Sequence, residues 1–166
     1  MRSLTRRTVR LICLSLTVST IGCDQVTKQI AADQLADGAR RSLWHDAVRL
    51  QYTENPGAFL GLGGSLPPAI RTPVLASATV VLLLGVAVAL RAHGMTLAYR
   101  LGLYLILGAG LSNLWDRLLR GRVIDFLNVG IGPLRTGIFN LADVVLLLGL
   151  ALILLGHRQK SSPTPV

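Results

Sequence analysis

The 166-residue chain is 51% hydrophobic and only 15% charged, with mean hydropathy +0.55. A soluble domain ordinarily carries about 25% charged residues, so the composition excludes that class and points to one membrane domain spanning 1–166. The net charge of +9 does not indicate nucleic acid, because the basic residues cluster at the ends of apolar runs and leave few soluble faces for a binding patch.

The first ten residues hold Arg2, Arg6, Arg7 and Arg10 and no acid, and 11–22 are uncharged. This resembles the basic and apolar regions of a signal peptide. The ending Thr20-Ile21-Gly22-Cys23 even resembles a weak lipoprotein cleavage box. Helical character continues past it, through Asp24, Lys28 and Ala31 to Leu35, so an uncleaved first span over about 9–35 is the preferred reading. Cys13 and Cys23 are separated by roughly 15 Å of helical rise, too far to bridge.

A polar interlude over about 37–66 follows. Val48, Leu50 and Tyr52 alternate with Arg49, Gln51 and Thr53, the mark of a half-buried strand. Asn55-Pro56-Gly57 is a turn, and Gly61, Gly63 and Gly64 loosen what comes next. A small extracytoplasmic β element is expected here.

Pro67, Pro68 and Pro73 mark the entry to a second span over about 70–90. Arg91, His93 and Arg100 bracket a short turn, and a third span covers about 96–116. The stretch 118–135 leaves the apolar core and reads as a short amphipathic or irregular segment outside the membrane. A fourth span over about 138–156 is broken only by Asn140 and Asp143 near its start. A Ser/Pro-rich tail over about 158–166 is expected to be disordered. The expected fold class is thus an all-α membrane protein of four transmembrane helices with a small β element.

Four spans place both termini on one side. Arginines before the first span, Arg91 and Arg100 between the second and third, and Arg158 and Lys160 after the fourth make that side cytoplasmic. Asp24, Lys28, Asn113, Asp125, Asn140 and Asp143 then all fall toward the outer face. Ionisable groups at membrane depth are expensive and usually face the bundle interior or water.

Each group has a structural reading beside its functional one. Asp24 and Lys28 share a helix face and form either a self-satisfied ion pair or a device that orients substrate. Asn113 bonds helices together and Arg117 snorkels to headgroups, or both shape a site; Asp116 is expected at the interface. Asp143 near a helix start is often a dipole partner, a reading that suits Asp125 less well. Asp125 and Asp143 are joined by a Gly/Pro-containing return and can meet. Paired carboxylates in an apolar setting cannot both ionise cheaply, so one keeps a proton. The charged partner then takes a proton from water while the other polarises a carbonyl, which is hydrolysis without metal or covalent intermediate. His45, His93 and His157 are scattered, and no serine-hydrolase or zinc motif is present. A small transport or proton-relay protein is the rival reading, although the spans show no internal repeat. A lipoprotein lipidated at Cys23 is a weaker one.

The ordered motifs Asp24-Gln25-Val26-Thr27-Lys28, Asn55-Pro56-Gly57-Ala58-Phe59, Asn113-Leu114-Trp115-Asp116-Arg117, Val123-Ile124-Asp125-Phe126 and Phe139-Asn140-Leu141-Ala142-Asp143 strongly resemble lipoprotein signal peptidase, signal peptidase II. The resemblance covers nearly the whole chain. It implies an aspartic endopeptidase of the bacterial cytoplasmic membrane that cuts a prolipoprotein just before its diacylglyceryl-modified cysteine. By motif match, Asp125 and Asp143 are the catalytic dyad. Asp24, Lys28, Asn55, Gly57, Asn113, Arg117 and Asn140 match positions that shape the site and hold substrate. The polar interlude matches the family's β cradle, and 118–135 its periplasmic helical segment. The implied partners are lipid-modified prolipoproteins and membrane lipids, the implied unit is a monomer, and no metal or other cofactor is implied.

Overall fold

The computed structural model describes residues 5–58 and 63–161. Four helices carry the chain: α1 (Arg6–Leu35), α2 (Pro68–Ala89), α3 (Leu97–Arg120) and α4 (Leu141–Ser161). The first three are long and apolar enough to cross a membrane, and 141–157 of α4 is a shorter apolar helix. The outward faces of these helices expose Val18, Val81, Leu84 and Leu147, apolar surface of the kind that spanning helices turn to lipid.

Local chemistry sets the helix ends. The Thr5 and Thr96 hydroxyls accept backbone N–H bonds from Thr8 and Tyr99, capping α1 and α3. Pro68 opens α2, where a missing N–H does no harm. Gly121 closes α3 in the left-handed conformation at φ 70°, its N–H bonded to Arg117 O, and turns the chain into a strand.

The bundle core is assembled on α3. Ala76 and Leu83 of α2 pack on Leu114, and Val86 packs on Leu103 and Ile106. Backbone approach is closest where side chains vanish. A Cβ on Gly102 would lie 2.5 Å from Gly149 O of α4, and one on Gly108 would lie 3.0 Å from Thr17 O of α1. Small residues at such crossings let membrane helices pack by dispersion, since lipid supplies no hydrophobic force between them.

A four-stranded antiparallel sheet sits at one end of the bundle, in the order β1 (Arg40–Leu43), β2 (Val48–Asn55), β3 (Val123–Ile131), β4 (Leu134–Arg135). It corrects the reading of 118–135. That stretch is no amphipathic helix: α3 continues to Arg120, and β3 and β4 follow. Val123 to Phe126 are buried on both faces, so the strand shows no alternation for a sequence reading to detect. The β element is therefore larger than 37–66 and drawn from two distant segments. At the fourth span, Ile138 is not helical, Phe139 forms a bridge to β3, and helix begins only at Leu141. Helix also persists to Ser161, beyond the start of the expected disordered tail; 162–166, Phe59 and Gly61 lie outside the described residues.

Candidate active site

One irregularity in the sheet builds the site. Along its outer half, β2 pairs with β3 as Val48 with Val129 and Leu50 with Leu127. The register then slips, and Thr53 pairs with Asp125 and Asn55 with Val123. Gln51 and Tyr52 thus stand opposite the single residue Phe126, a β-bulge. A one-residue slip moves side chains to the other face of a sheet. Without the bulge, Asn55 would face away from Asp125. With it, Asn55 is the diagonal neighbour of Asp125 on one face, and its Nδ2 donates to Asp125 Oδ2 at 2.9 Å. Gly57 N–H holds Asn55 from the other end, donating to Oδ1 at 2.9 Å.

Asp143 arrives from the opposite direction. Phe139 O accepts the N–H groups of Phe126 and Leu127, at 3.0 and 2.8 Å, and Phe139 N–H donates to Leu127 O. This short bridge fastens the start of α4 to β3. Asn140, the next residue, then serves both acids. Its Nδ2 donates to Asp125 Oδ1 at 2.7 Å, and its Oδ1 accepts Asp143 N–H at 3.0 Å. Asn113 of α3 adds a second link, its Nδ2 donating to Asp143 Oδ1 at 3.3 Å.

The Asp125 carboxyl is pushed up to about 6 from 3.8, above all by burial. The Asn55 and Asn140 amides and the Lys28 charge pull against that, while the Asp143 charge adds to it. Such a group holds its proton well into the range where a free carboxyl has lost it.

Beneath the pair lies a buried ion network. Lys28 Nζ makes three contacts: Asp24 Oδ2 at 2.6 Å, Asp116 Oδ2 at 2.8 Å and Asn113 Oδ1 at 2.7 Å. Lys28 thus donates to Asn113 Oδ1 and pairs ionically with the two acids, and the Asn113 amide is fixed with its Nδ2 toward Asp143. Asp24 Oδ1 accepts Ala142 N–H at 2.8 Å and so ties the first turn of α4 to α1. Its other oxygen accepts Ser112 Oγ at 2.7 Å, and Gln25 donates to that same hydroxyl. Arg117 donates to Gly57 O and to Asn113 O, at 3.3 and 3.4 Å.

The structure therefore brings together all nine residues singled out in the sequence, some only through others. Asp116 is corrected: expected at the interface, it is fully buried between Lys28 and Arg120. Ser112 and Gln25 are additions, since a serine and a glutamine in apolar runs carry no distinctive signal. Among the described residues, no three His, Cys, Asp or Glu side chains group as a metal site would need.

Known proteins resemble this chain over most of its length. The family model for signal peptidase (SPase) II matches residues 16–157. A lipoprotein signal peptidase of Pelotomaculum thermopropionicum is 37% identical over 145 residues, covering 84% of this chain and 88% of the relative. One from Burkholderia mallei is 34% identical over 150 residues, covering 89% and 87%. One from Leifsonia xyli is 33% identical over 152 residues, 82% of this chain, and the match spans 66% of that longer relative. A solved bacterial membrane enzyme superposes with TM-score 0.78 at 25% identity, covering 93% of this chain and 94% of that one.

Proposed function

Because the chain belongs to the signal peptidase II family of membrane proteases, we propose that it cleaves lipid-modified prolipoproteins before the lipidated cysteine, with Asp125 and Asp143 as a metal-free catalytic dyad. The observation that carries this reading is the convergence of the two acids on Asn140, one from a strand and one from a helix start.

The pair shares a proton in the resting enzyme. The ionised carboxylate takes a proton from a water placed between the acids and the scissile carbonyl. The protonated partner donates to the carbonyl oxygen as the tetrahedral intermediate forms. The proton gained from water then passes to the leaving amine. Asn55, Asn113 and Asn140 orient the carboxyl oxygens, Lys28 and Gly57 hold the Asn113 and Asn55 amides, and Asp24 holds Lys28 and the first turn of α4. Arg117, with Gly57 O already bound, stands at the edge of the site to meet substrate backbone.

The whole chain acts as one membrane domain. α4 crosses the bilayer with the other three helices, the sheet lies on the outer side of the bacterial cytoplasmic membrane, and both termini are cytoplasmic. Arg7, Arg10, Arg91 and Arg100 at the end remote from the sheet support that orientation. A monomer suffices, since one chain carries both acids.

The test is cleavage of a purified diacylglyceryl-prolipoprotein in detergent by wild type and by Asp143→Asn, with and without chelator, read by mass spectrometry. Cleavage before the lipidated cysteine that survives chelator and is absent in the variant is expected. Cleavage by the variant, or chelator inhibition, overturns the dyad.

A further inference from the structure

The sheet has two chemically opposite faces, and only one is accounted for by the site. Paired residues of an antiparallel sheet share a face, and alternate residues along a strand do too. Asp125, Leu127, Val129 and Ile131 therefore lie on one face of β3. Their partners Leu50, Val48 and Leu134 lie there too, Leu43 joins through Val48, and Arg41 joins through Leu50 as the one cation among the described residues of this face. Near the bundle this face is buried: Asp125 looks into the site, and Leu50 and Leu127 pack against the cluster of Ala31, Leu35 and Phe126. Farther out it is uncovered. Exposure climbs from 2% at Asp125 to 39% at Val129 and 84% at Ile131, with Leu134 at 82%.

The opposite face begins at Phe126, which is buried with Ala31 and Leu35, and farther out it is polar and internally bonded. Ser42, Arg49 and Asn128 are in register there, beside Arg135. Arg49 and Ser42 bind the Asp46 carboxylate, and Arg135 donates to Asn128 Oδ1 and to Asp46 O. These bonds, with Gly130 N–H on Ala47 O, tie the two hairpin ends into one unit. At its tip Trp44 is 75% exposed, in a turn of three consecutive left-handed residues.

We propose that this overhanging apolar face, with Trp44 at its tip, is seated in the acyl and glycerol region of the leaflet beside the sheet. Two observations choose lipid as the occupant. The face continues the one that looks onto the helix ends, so beyond the bundle it meets what surrounds the helices, where α1 exposes Val26 and Ile30. On the opposite face the charges are satisfied within the network and Asp46 at its rim stays 40% exposed, which is the partition an interfacial element needs, and tryptophan favours that depth. The consequence is mechanical: the sheet that carries Asp125 and Asn55 is held at a fixed height on the leaflet.

Trp44 and Trp115 are the two tryptophans, so each can report alone. Full-length Trp115→Phe is reconstituted in phosphatidylcholine vesicles with acyl chains brominated at shallow or deep carbons, and aqueous iodide is added separately. Trp44 fluorescence is expected to be quenched severalfold more by shallow than by deep bromines and to resist iodide. Adding Ile131→Lys and Leu134→Lys should reverse both effects. Trp44→Phe leaves Trp115 on the exposed side of α3 as the insertion control, so a chain that fails to insert is recognised and replaced. Iodide access to Trp44 in an inserted chain overturns the proposal. So does iodide protection without bromine quenching, which would put a second copy or another protein on the face.

Discussion

Asn140 and Asp143 hold each other: Asn140 N–H donates to Asp143 Oδ2 at 3.2 Å, and Asp143 N–H donates back to Asn140 Oδ1 at 3.0 Å. This is a capping box at the start of α4. The dipole-partner reading of Asp143 and the catalytic one are thus compatible, since Asp143 Oδ1 points to Asn113 while Oδ2 serves the cap.

Asp143→Asn should consequently fold well. An asparagine oxygen still accepts Asn140 N–H, so thermal unfolding in detergent should move by less than about 1 kcal/mol. Cleavage should fall by at least about 10²–10⁴-fold, the usual contribution of a general acid or base. A large stability loss in this variant would mean that the acid is chiefly structural.

Asn140→Ala should lose on both counts. It removes the cap, worth about 1 kcal/mol, and the shared partner of Asp125 and Asp143. Circular dichroism melting should show the first loss and prolipoprotein cleavage the second. An active Asn140→Ala enzyme would remove Asn140 from the site.

Lys28→Met should be among the most damaging single changes. It leaves Asp24 buried without a cation and Asp116 with Arg120 alone, and breaking a buried ion pair costs about 3–5 kcal/mol. The protein is expected to be poorly folded in detergent, as read by size-exclusion chromatography and thermal unfolding. Exchange of both acids together, Asp24→Asn with Asp116→Asn, should recover part of the loss in the Lys28→Met background.

The raised carboxyl of Asp125 predicts a signed pH dependence. Because the folded state binds this proton more tightly than the unfolded chain, the native state is favoured below 3.8 and loses that advantage as pH rises through about 6. The effect is on the order of 3 kcal/mol at most, at about 1.4 kcal/mol per pH unit of separation. Asp125→Asn does not titrate there. Its unfolding temperature should gain on wild type between pH 4 and 7 and then run parallel. A gap that closes over that range contradicts the assignment.

Gly102→Ala should separate α3 from α4, since the added Cβ would meet Gly149 O at 2.5 Å. Overpacking of this kind costs about 1–3 kcal/mol and would move Asn113 relative to Asp143. Gly85→Ala on α2, with nothing within 4 Å, is the matched control and should be neutral or stabilising. Equal melting of the two variants would mean that the crossing is loose.

Much of the site is legible in the residues alone, for a simple reason. Asp24 with Lys28 and Asn140 with Asp143 are local pairs set by helix geometry, and a charged or amide side chain inside an apolar run stands out. Asp116 does not stand out, because beside Arg117 near a helix end it reads as an interfacial residue. Its burial depends on α1 delivering Lys28 to it, a contact across distant segments.

Four apolar helices, the turn at Asn55-Pro56-Gly57 and the acids out of place in an apolar chain are all specified by the order of the residues. They follow from hydrophobic runs, breakers and short spacings, which are properties of local stretches. Long-range packing alone makes 123–131 a strand, turns Asn55 to the face of Asp125 through a bulge at Gln51 and Tyr52, and fastens α4 beside it through Phe139 O. Strand pairing and register are satisfied between segments far apart in the chain. A strand buried on both faces leaves no period in its own residues to announce its partner.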